Sequence, residues 1–309
     1  MALPPQSASA IPSEVSRIPT SQRILIVGGD SRIGAALCLA LRAHGAKVTA
    51  TTRRLENIAA AAPLLDLQDI ESINALDVST YDIAYLCAGV STFAACEEGD
   101  LARRVNVDNT LHLCERLRGA GCAIFFLSTS AVFDGRQPDA SEHTQPTPTT
   151  AYGRQKAEVE GALCKVNMAQ HPLAAIVRLS KVLTPDAPIV LDWRQQLKQK
   201  GDIHPLADLW LSPISLAYAV EGLIVLGQVG QGGVFHLSGE RDVSYADCAI
   251  ALALRWGEPT RRVQPRSLRD AGINLPYCPA YPTLVMTRTT QLTGLAPQPF
   301  ATCMDEVAR

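Results

Sequence analysis

The chain has 309 residues, 47% of them apolar and 19% charged, and carries a formal net charge of −2. That length suits one large core with a smaller lobe. The near-neutral balance, with no basic run beyond pairs such as Arg53-Arg54, argues against a nucleic-acid surface or a charged tail.

The nine cysteines form no Cys-x-x-Cys, and no two histidines stand at metal-ligand spacing, so no metal site is expected. Several, such as Cys38 and Cys87, fall in apolar stretches. They read as small buried hydrophobes of a reducing compartment, and a cytoplasmic location is expected. Residues 1–22 are rich in Pro, Ser and Ala and are expected to form a flexible tail without a signal-peptide pattern. The apolar run from Ile214 to Leu226 carries Glu221 and is too short to span a bilayer, so no membrane partner is expected.

In chain order, Arg23 to Val27 reads as an apolar strand, followed by a Gly-rich turn and a helix from Ile33 to His44. Lys47 to Thr51 is the second strand. A helix over Leu55 to Ala61, a short strand at Leu64-Leu65 and a helix over Ile70 to Ala75 follow. Asp82 to Cys87 is a strand, Glu97 to Arg118 a long helix, Ala123 to Leu127 a strongly apolar strand. Tyr152 to Lys165 is helical and Leu173 to Arg178 is a strand. This alternation, with strands apolar throughout, predicts an α/β fold: a Rossmann-type doubly wound parallel sheet. The expected core is 23–180, joined by 213–238 through a helix from Ser215 and a strand at Val234 to Leu237. A small C-terminal substrate lobe is expected from 181–212 and 239–309.

The first turn reads Gly28-Gly29-Asp30-Ser31-Arg32-Ile33-Gly34. Gly28 permits a tight turn, Gly34 close helix packing, and the N–H groups at the helix start suit a pyrophosphate. Alone it also fits an ordinary strand-to-helix turn. After the second strand an NAD site normally has an acid; here Thr52, Arg53 and Arg54 follow Thr51. Guanidinium groups there suit a 2′-phosphate, so NADP is expected over NAD, with Arg32 as a further contact. The alternative is that Arg53 and Arg54 simply open a solvated helix.

Tyr152 and Lys156, four apart on a helix, share a face. An ammonium beside a phenol favours phenolate and would lower its pKa, equipping it to exchange a proton with a carbonyl oxygen. Upstream, the strand Phe125-Phe126-Leu127 ends in Ser128-Thr129-Ser130, at the strand end where such sheets bind ligands.

Ser-Thr-Ser-Ala-Val-Phe-Asp-Gly (128–135), then Glu142, Pro146, Pro148 and Tyr152-Gly-x-x-Lys156, resembles the extended short-chain dehydrogenase/reductase family, in its dTDP-4-dehydrorhamnose reductase branch. Arg178-Leu179-Ser180, Pro213-Ile214-Ser215 and Gly233 to Gly239 continue the likeness. The resemblance implies Thr129 bonding a substrate carbonyl, Tyr152 as acid/base, and Lys156 binding the nicotinamide ribose and depressing the tyrosine pKa. Gly28, Asp30, Ser31, Arg32, Ile33 and Gly34 would hold the pyrophosphate. Asp66 and Leu67 would flank the adenine; Cys87, Ala88, Gly89 and Asn106 would line the cofactor. Ser128, on the alternate side of the strand, is expected to point elsewhere.

Departures occur at Ser130-Ala131, at Ala140-Ser141-Glu142 and at Lys181, where an aromatic often stands; all lie around the substrate. The implied activity is an NADP(H)-dependent oxidoreductase acting on a carbonyl or hydroxyl of a nucleotide sugar. The alternatives are a sugar-nucleotide epimerase and a catalytically silent NAD(P)-binding partner subunit. Helices flanking the sheet imply a homodimer. His112, His204 and His236 are expected to be structural, and Trp193 and Trp210 to be core residues rather than base-stacking ones.

Overall fold

A computed structural model describes residues 22–54, 62–167 and 173–309. Residues 1–21 of the expected tail and the helix expected over 55–61 lie outside the described residues.

Six parallel strands form the central sheet: β1 (Arg23–Val27), β2 (Lys47–Ala50), β3 (Ile83–Leu86), β4 (Ala123–Thr129), β5 (Ala174–Leu179) and, later in the chain, a strand at Gly233–Leu237, in the order β2-β1-β3-β4-β5 followed by that last strand. The Leu64 strand survives as one parallel bridge from Leu64 to Thr52, at the outer edge beyond β2. Order reverses between β1 and β3, and the crevice opens at their carboxyl ends.

The strands look uniformly apolar because both faces are covered. Ile24, Ile26, Tyr85, Phe125, Ala175 and Val177 pack on one side. Their neighbours Leu25, Val27, Leu86, Phe126, Ala174 and Ile176 pack on the other. Period-2 side-chain direction thus feeds two cores from one strand. The helices α1 (Arg32–Ala43), α2 (Ile70–Ala75), α3 (Phe93–Glu97), α4 (Asp100–Arg103), α5 (Asn109–Gly119) and α6 (Ala151–Asn167) connect the strands.

The single helix expected over 97–118 is instead α3, α4, a π-helical turn at Arg104–Asp108, and α5. Gly99, at φ 152°, ends the first piece, and the π turn re-aims the chain.

After β5, β6 (Lys181–Leu183) and α7 (Pro188–Lys198) lead to β7 (Trp210–Leu211) and β8 (Pro213–Ser215). Next come α8 (Leu216–Val229), β9 (Gly233–Leu237, the sixth sheet strand), β10 (Val243–Ser244), α9 (Tyr245–Arg255), α10 (Thr287–Thr293) and α11 (Phe300–Val307). β6 pairs with β8 in parallel, and β7 with β10 antiparallel. A separate apolar cluster joins Val190, Trp193, Leu252, Val263, Met304 and Val307 from α7, α9, α11 and the chain between them.

The expected lobe boundary needs one correction. Met286, Leu292 and Leu295 pack on the Rossmann core, and the His236 N–H donates to Thr289 Oγ1 at 3.0 Å. The chain around α10 therefore returns to the sheet. Among the described residues no helix is long and apolar enough to cross a membrane.

Candidate active site

The carboxyl ends of β1, β3, β4 and β5 open into a cleft of about 640 Å³. Its walls bring together Ser31, Arg32, Ile33, Cys87, Ala88, Gly89, Thr129, Tyr152 and Lys156, residues spread over 126 positions of the sequence (31 to 156).

The first turn is shaped by its glycines. Gly28 has φ 86°, and a Cβ there would stand 2.8 Å from Ala88 backbone. A Cβ on Gly34 would come within 2.2 Å of the Gly28 carbonyl oxygen. Ser31 replaces a glycine without losing the turn because its hydroxyl is used locally. It accepts from Gly34 N at 3.0 Å and donates to Gly28 O at 2.8 Å. That caps α1 while Arg32 and Ile33 begin the helix, where backbone N–H groups lack intrahelical partners and the dipole is positive. The arrangement fits a pyrophosphate.

The Arg32 guanidinium crosses to Asp186, beyond β6, at 3.2 Å, while Thr184 Oγ1 donates to the same carboxylate at 2.5 Å. Arg53 and Arg54 are exposed past the end of β2, and no acid follows them within the described part of that loop. Asp30 lies beside them and accepts from Thr52 Oγ1 at 2.6 Å. Gly28, Asp30, Gly34, Arg53, Arg54, Asp66 and Leu67 stand outside the cleft walls. They belong to the first turn and the strand ends on the β2 side. Asp66 Oδ1 accepts from Gln68 N at 2.9 Å, and the Leu67 carbonyl accepts from Asn109 at 2.7 Å.

Asn106, expected to line the cofactor, has its side chain engaged within the protein. The π turn buries it behind the wall. Its Oδ1 accepts from Val90 N, and its Nδ2 donates to Val90 O and Gln155 Oε1, each at 2.8 Å. With its amide committed, Asn106 clamps the Gly89-Val90 loop to α6. Gly89 stays bare for the same reason: a Cβ would stand 3.1 Å from Asn106 Oδ1 and 3.8 Å from Lys156 Nζ.

Tyr152, Lys156 and Glu160 rise one turn apart on α6. Lys156 is buried; its ammonium donates to the Leu127 carbonyl at 2.9 Å and lies 4.5 Å from the Phe126 ring centre. Burial pulls its pKa down to about 8, and the nearby Glu160 carboxylate resists that fall. Glu160 itself is buried against Arg178 at 2.7 Å and accepts from Ser128. Ser128 gives its hydroxyl to this network while the residue also borders the cleft.

The expected lowering of the Tyr152 pKa by Lys156 is not what the geometry gives. Burial pushes the phenol up to about 12, a nearby Cys96 adds to this, and a hydrogen bond with the Thr129 side chain only partly opposes it. The Lys156 charge is spent on Leu127 O and its own buried surroundings. The Tyr152 ring meets the edge of Phe93 at 6.0 Å, and Phe93 meets Tyr277 at 5.9 Å. Gly153 lets α6 seat here, since a Cβ would come within 2.2 Å of Ala131 O.

One observation decides the family: the RmlD substrate binding domain family matches residues 22–309 of the chain. The chain belongs to that family. The bovine (Bos taurus) methionine adenosyltransferase 2 subunit beta is 24% identical over 256 residues, 79% of this chain and 75% of that protein. The dTDP-4-dehydrorhamnose reductase of Aggregatibacter actinomycetemcomitans is 26% identical over 240 residues, 74% of this chain and 78% of that protein. A crystal structure of dTDP-4-dehydrorhamnose reductase from Bacillus anthracis in complex with NADP has a TM-score of 0.77 at 21% identity, covering 92% of this chain and 97% of that one. That likeness carries the fold: a Rossmann-type α/β sheet of the kind found in reductases and epimerases.

Further residues stand in the cleft wall, and three of them, Phe93, Tyr245 and Tyr277, escaped the sequence reading. Trp210 and Lys181 line the cleft too and had drawn notice. The two tryptophans divide: Trp193 is buried in the lobe core, whereas Trp210 is 40% exposed in the cleft wall. His236 is structural as expected; it is buried with Nδ1 2.8 Å from Val285 O. Tyr277 lacked any local signal, because only the path of the lobe brings it to Phe93.

Proposed function

We propose that this chain is an NADP(H)-dependent oxidoreductase that reduces a carbonyl of a nucleotide-linked sugar, with Tyr152 as proton donor. The observation that carries this reading is the meeting of Thr129, Tyr152 and Lys156 in one cleft beside the glycine-rich turn, in a member of this family. The relatives named as dTDP-4-dehydrorhamnose reductases support the substrate class.

The residues fit the cofactor. Gly28, Gly34 and the start of α1 form a cradle for a pyrophosphate, with Ser31, Arg32 and Ile33 at its edge. Arg53 and Arg54 offer guanidinium groups to a 2′-phosphate. Cys87, Ala88 and Gly89 line the cleft, and Asp66 and Leu67, outside its walls, would flank the adenine. When bound, the reduced nicotinamide supplies the hydride.

The protein's part is proton handling and positioning. With its pKa near 12, Tyr152 is a neutral phenol at pH 7, the form that donates a proton to a carbonyl oxygen as it gains charge. Oxidation of the alcohol would run the same proton transfer in reverse and would start from the phenolate. Thr129 holds the same oxygen. Lys156 stays charged at neutral pH and, held on the Leu127 carbonyl, would bind the nicotinamide ribose. Phe93, edge-on to the Tyr152 ring and itself against Tyr277, walls one side of the tyrosine.

The test is a titration with NADPH and NADH of the native chain beside an Arg53→Ala/Arg54→Ala variant. NADPH is expected to bind more tightly, and the variant to lose about 1.5–3 kcal/mol of that binding, the size of charged hydrogen bonds. Failure of both nucleotides to bind sinks the reading.

A second reading has its own observation. Relatives named methionine adenosyltransferase 2 subunit beta match at 23–24% identity. On that reading the chain binds the cofactor as a partner subunit without turnover. NADPH binding with no consumption of it across keto-sugar nucleotides would favour it.

A further inference from the structure

The two residues that follow β5 stand beside the reacting groups. Leu179, the last residue of β5, is in register with Thr129, so Ser180 and Lys181 continue past the strand end at the level of the Thr129 hydroxyl. The Lys181 N–H donates to Ser212 O at 3.2 Å, which fixes the backbone against the β8 side of the cleft. Ser180, Lys181, Trp210 and Ser212 all border the same cleft as Tyr152.

Two features of this wall are unexplained by the fold. Ser180 is only 6% exposed, and its hydroxyl is buried without a hydrogen-bond partner among the described residues. A buried orphan hydroxyl is expensive, and such groups in native sites call for a missing partner. Lys181 projects into the cleft without an ion pair among the described residues. Asp186, just beyond β6, is engaged by Arg32 and Thr184. The surrounding protein and the Arg32 charge both lower the Lys181 pKa, as expected for a cation facing another cation rather than an acid. Lys181 is itself exposed, yet it borders the cleft directly after the buried, unpartnered Ser180 hydroxyl.

We propose that Ser180 and Lys181 form an anion-binding subsite that takes phosphate or carboxylate oxygens of the substrate. This deepens the oxidoreductase reading and rests on it. The ammonium supplies charge and up to three donors, and the hydroxyl supplies one more at the floor of the cleft. Trp210, on the same wall, offers a flat apolar face beside the charge. The anionic oxygens come either from the diphosphate linkage of a nucleotide sugar or from a carboxylate on the sugar itself.

The probes are dTDP, UDP-glucose and UDP-glucuronate, titrated calorimetrically into the NADPH-saturated chain. Native protein, Lys181→Arg, Lys181→Met, Lys181→Glu and Ser180→Ala are compared. Lys181→Met is expected to weaken binding roughly tenfold to a hundredfold, the range for a charged hydrogen bond, with Lys181→Glu weaker still and Lys181→Arg near native. Ser180→Ala is expected to lose roughly two- to tenfold. An equal loss across the three probes assigns the diphosphate, whereas a loss confined to UDP-glucuronate assigns the sugar carboxylate. The subsite is overturned if Lys181→Met and Lys181→Glu bind every probe as the native chain does, or if the native chain binds none. NADPH titration of each variant reports folding. Native protein that binds no NADPH would fail the oxidoreductase reading instead, so the two failures are distinct.

Discussion

The Lys156 ammonium donates to the Leu127 carbonyl at 2.9 Å, inside a wall that leaves the residue 6% exposed. This ties the helix of the Tyr-Gly-x-x-Lys motif to the strand that ends in Thr129. Burial lowers the lysine pKa to about 8, with Glu160 opposing. Reduction needs Lys156 charged and Tyr152 protonated, and Tyr152 stays protonated to about 12. Turnover is therefore expected to fall as pH rises through about 8. A pH profile of kcat that stays flat to pH 10 would contradict the assignment of Lys156.

Tyr152→Phe keeps the ring against Phe93 and removes the proton donor. Reduction of a nucleotide-linked keto sugar is expected to drop by roughly a hundredfold to ten-thousandfold, the usual worth of general acid catalysis. NADPH affinity should be retained. Stopped-flow absorbance of NADPH separates the two; full activity in the variant would dismiss Tyr152 as the acid.

Glu160 and Arg178 are a buried pair, each side chain 3% exposed, that also engages Ser128 and His236. Glu160→Gln leaves a buried guanidinium without its counter-charge and is expected to cost about 3–5 kcal/mol in urea unfolding. The double variant Glu160→Leu/Arg178→Met should lose less than Glu160→Gln alone. A double variant that loses the sum of both single changes would show that the pair does not act as a unit.

Gly34→Ala drives a Cβ to 2.2 Å from the Gly28 carbonyl oxygen, a backbone atom that cannot swing away. α1 must then move off β1. A loss of about 1–3 kcal/mol in thermal unfolding is expected, with weaker NADPH binding. Native-like melting and binding would mean that the turn is looser than its geometry.

His236 is held neutral: burial, with the Arg178 charge beside it, lowers its pKa to about 3 from an ordinary 6.5. Between those values the unfolded chain takes up a proton that the folded one does not. The stability linked to this group is thus full above pH 6.5 and is lost as pH falls toward 3. His236→Asn should flatten that part of the stability curve in denaturant melts taken across the range. An unchanged acid slope would place the sensitivity elsewhere.

The alternation of strands and helices, the first turn and the Tyr152–Lys156 spacing were legible in the chain itself. Local rules govern each: apolar periodicity, glycine at a forced turn, and the 3.6-residue repeat that stacks positions four apart. Apolar strands without alternation already implied a sheet covered on both faces, and Ile24 beside Leu25 feeds opposite cores as that requires.

What the tertiary structure alone decided concerns burial and distant approach. Tyr152 was expected to be acidified by Lys156, yet enclosure raises it, because desolvation is set by everything packed around the ring rather than by its helix neighbour. The clamp that Asn106 forms was not legible either, because only the π turn aims its amide at Val90 and Gln155. Trp193 and Trp210 carry no local difference, yet one fills the lobe core and the other faces the cleft. Lys181 meets Arg32 only because β6 and the first turn converge. Sequence determined the elements and their order, since these follow from contacts within a few residues. The electrostatics of the site did not follow, since they depend on contacts between separate segments, from 29 positions apart for Lys156 and Leu127 to 154 for Arg32 and Asp186.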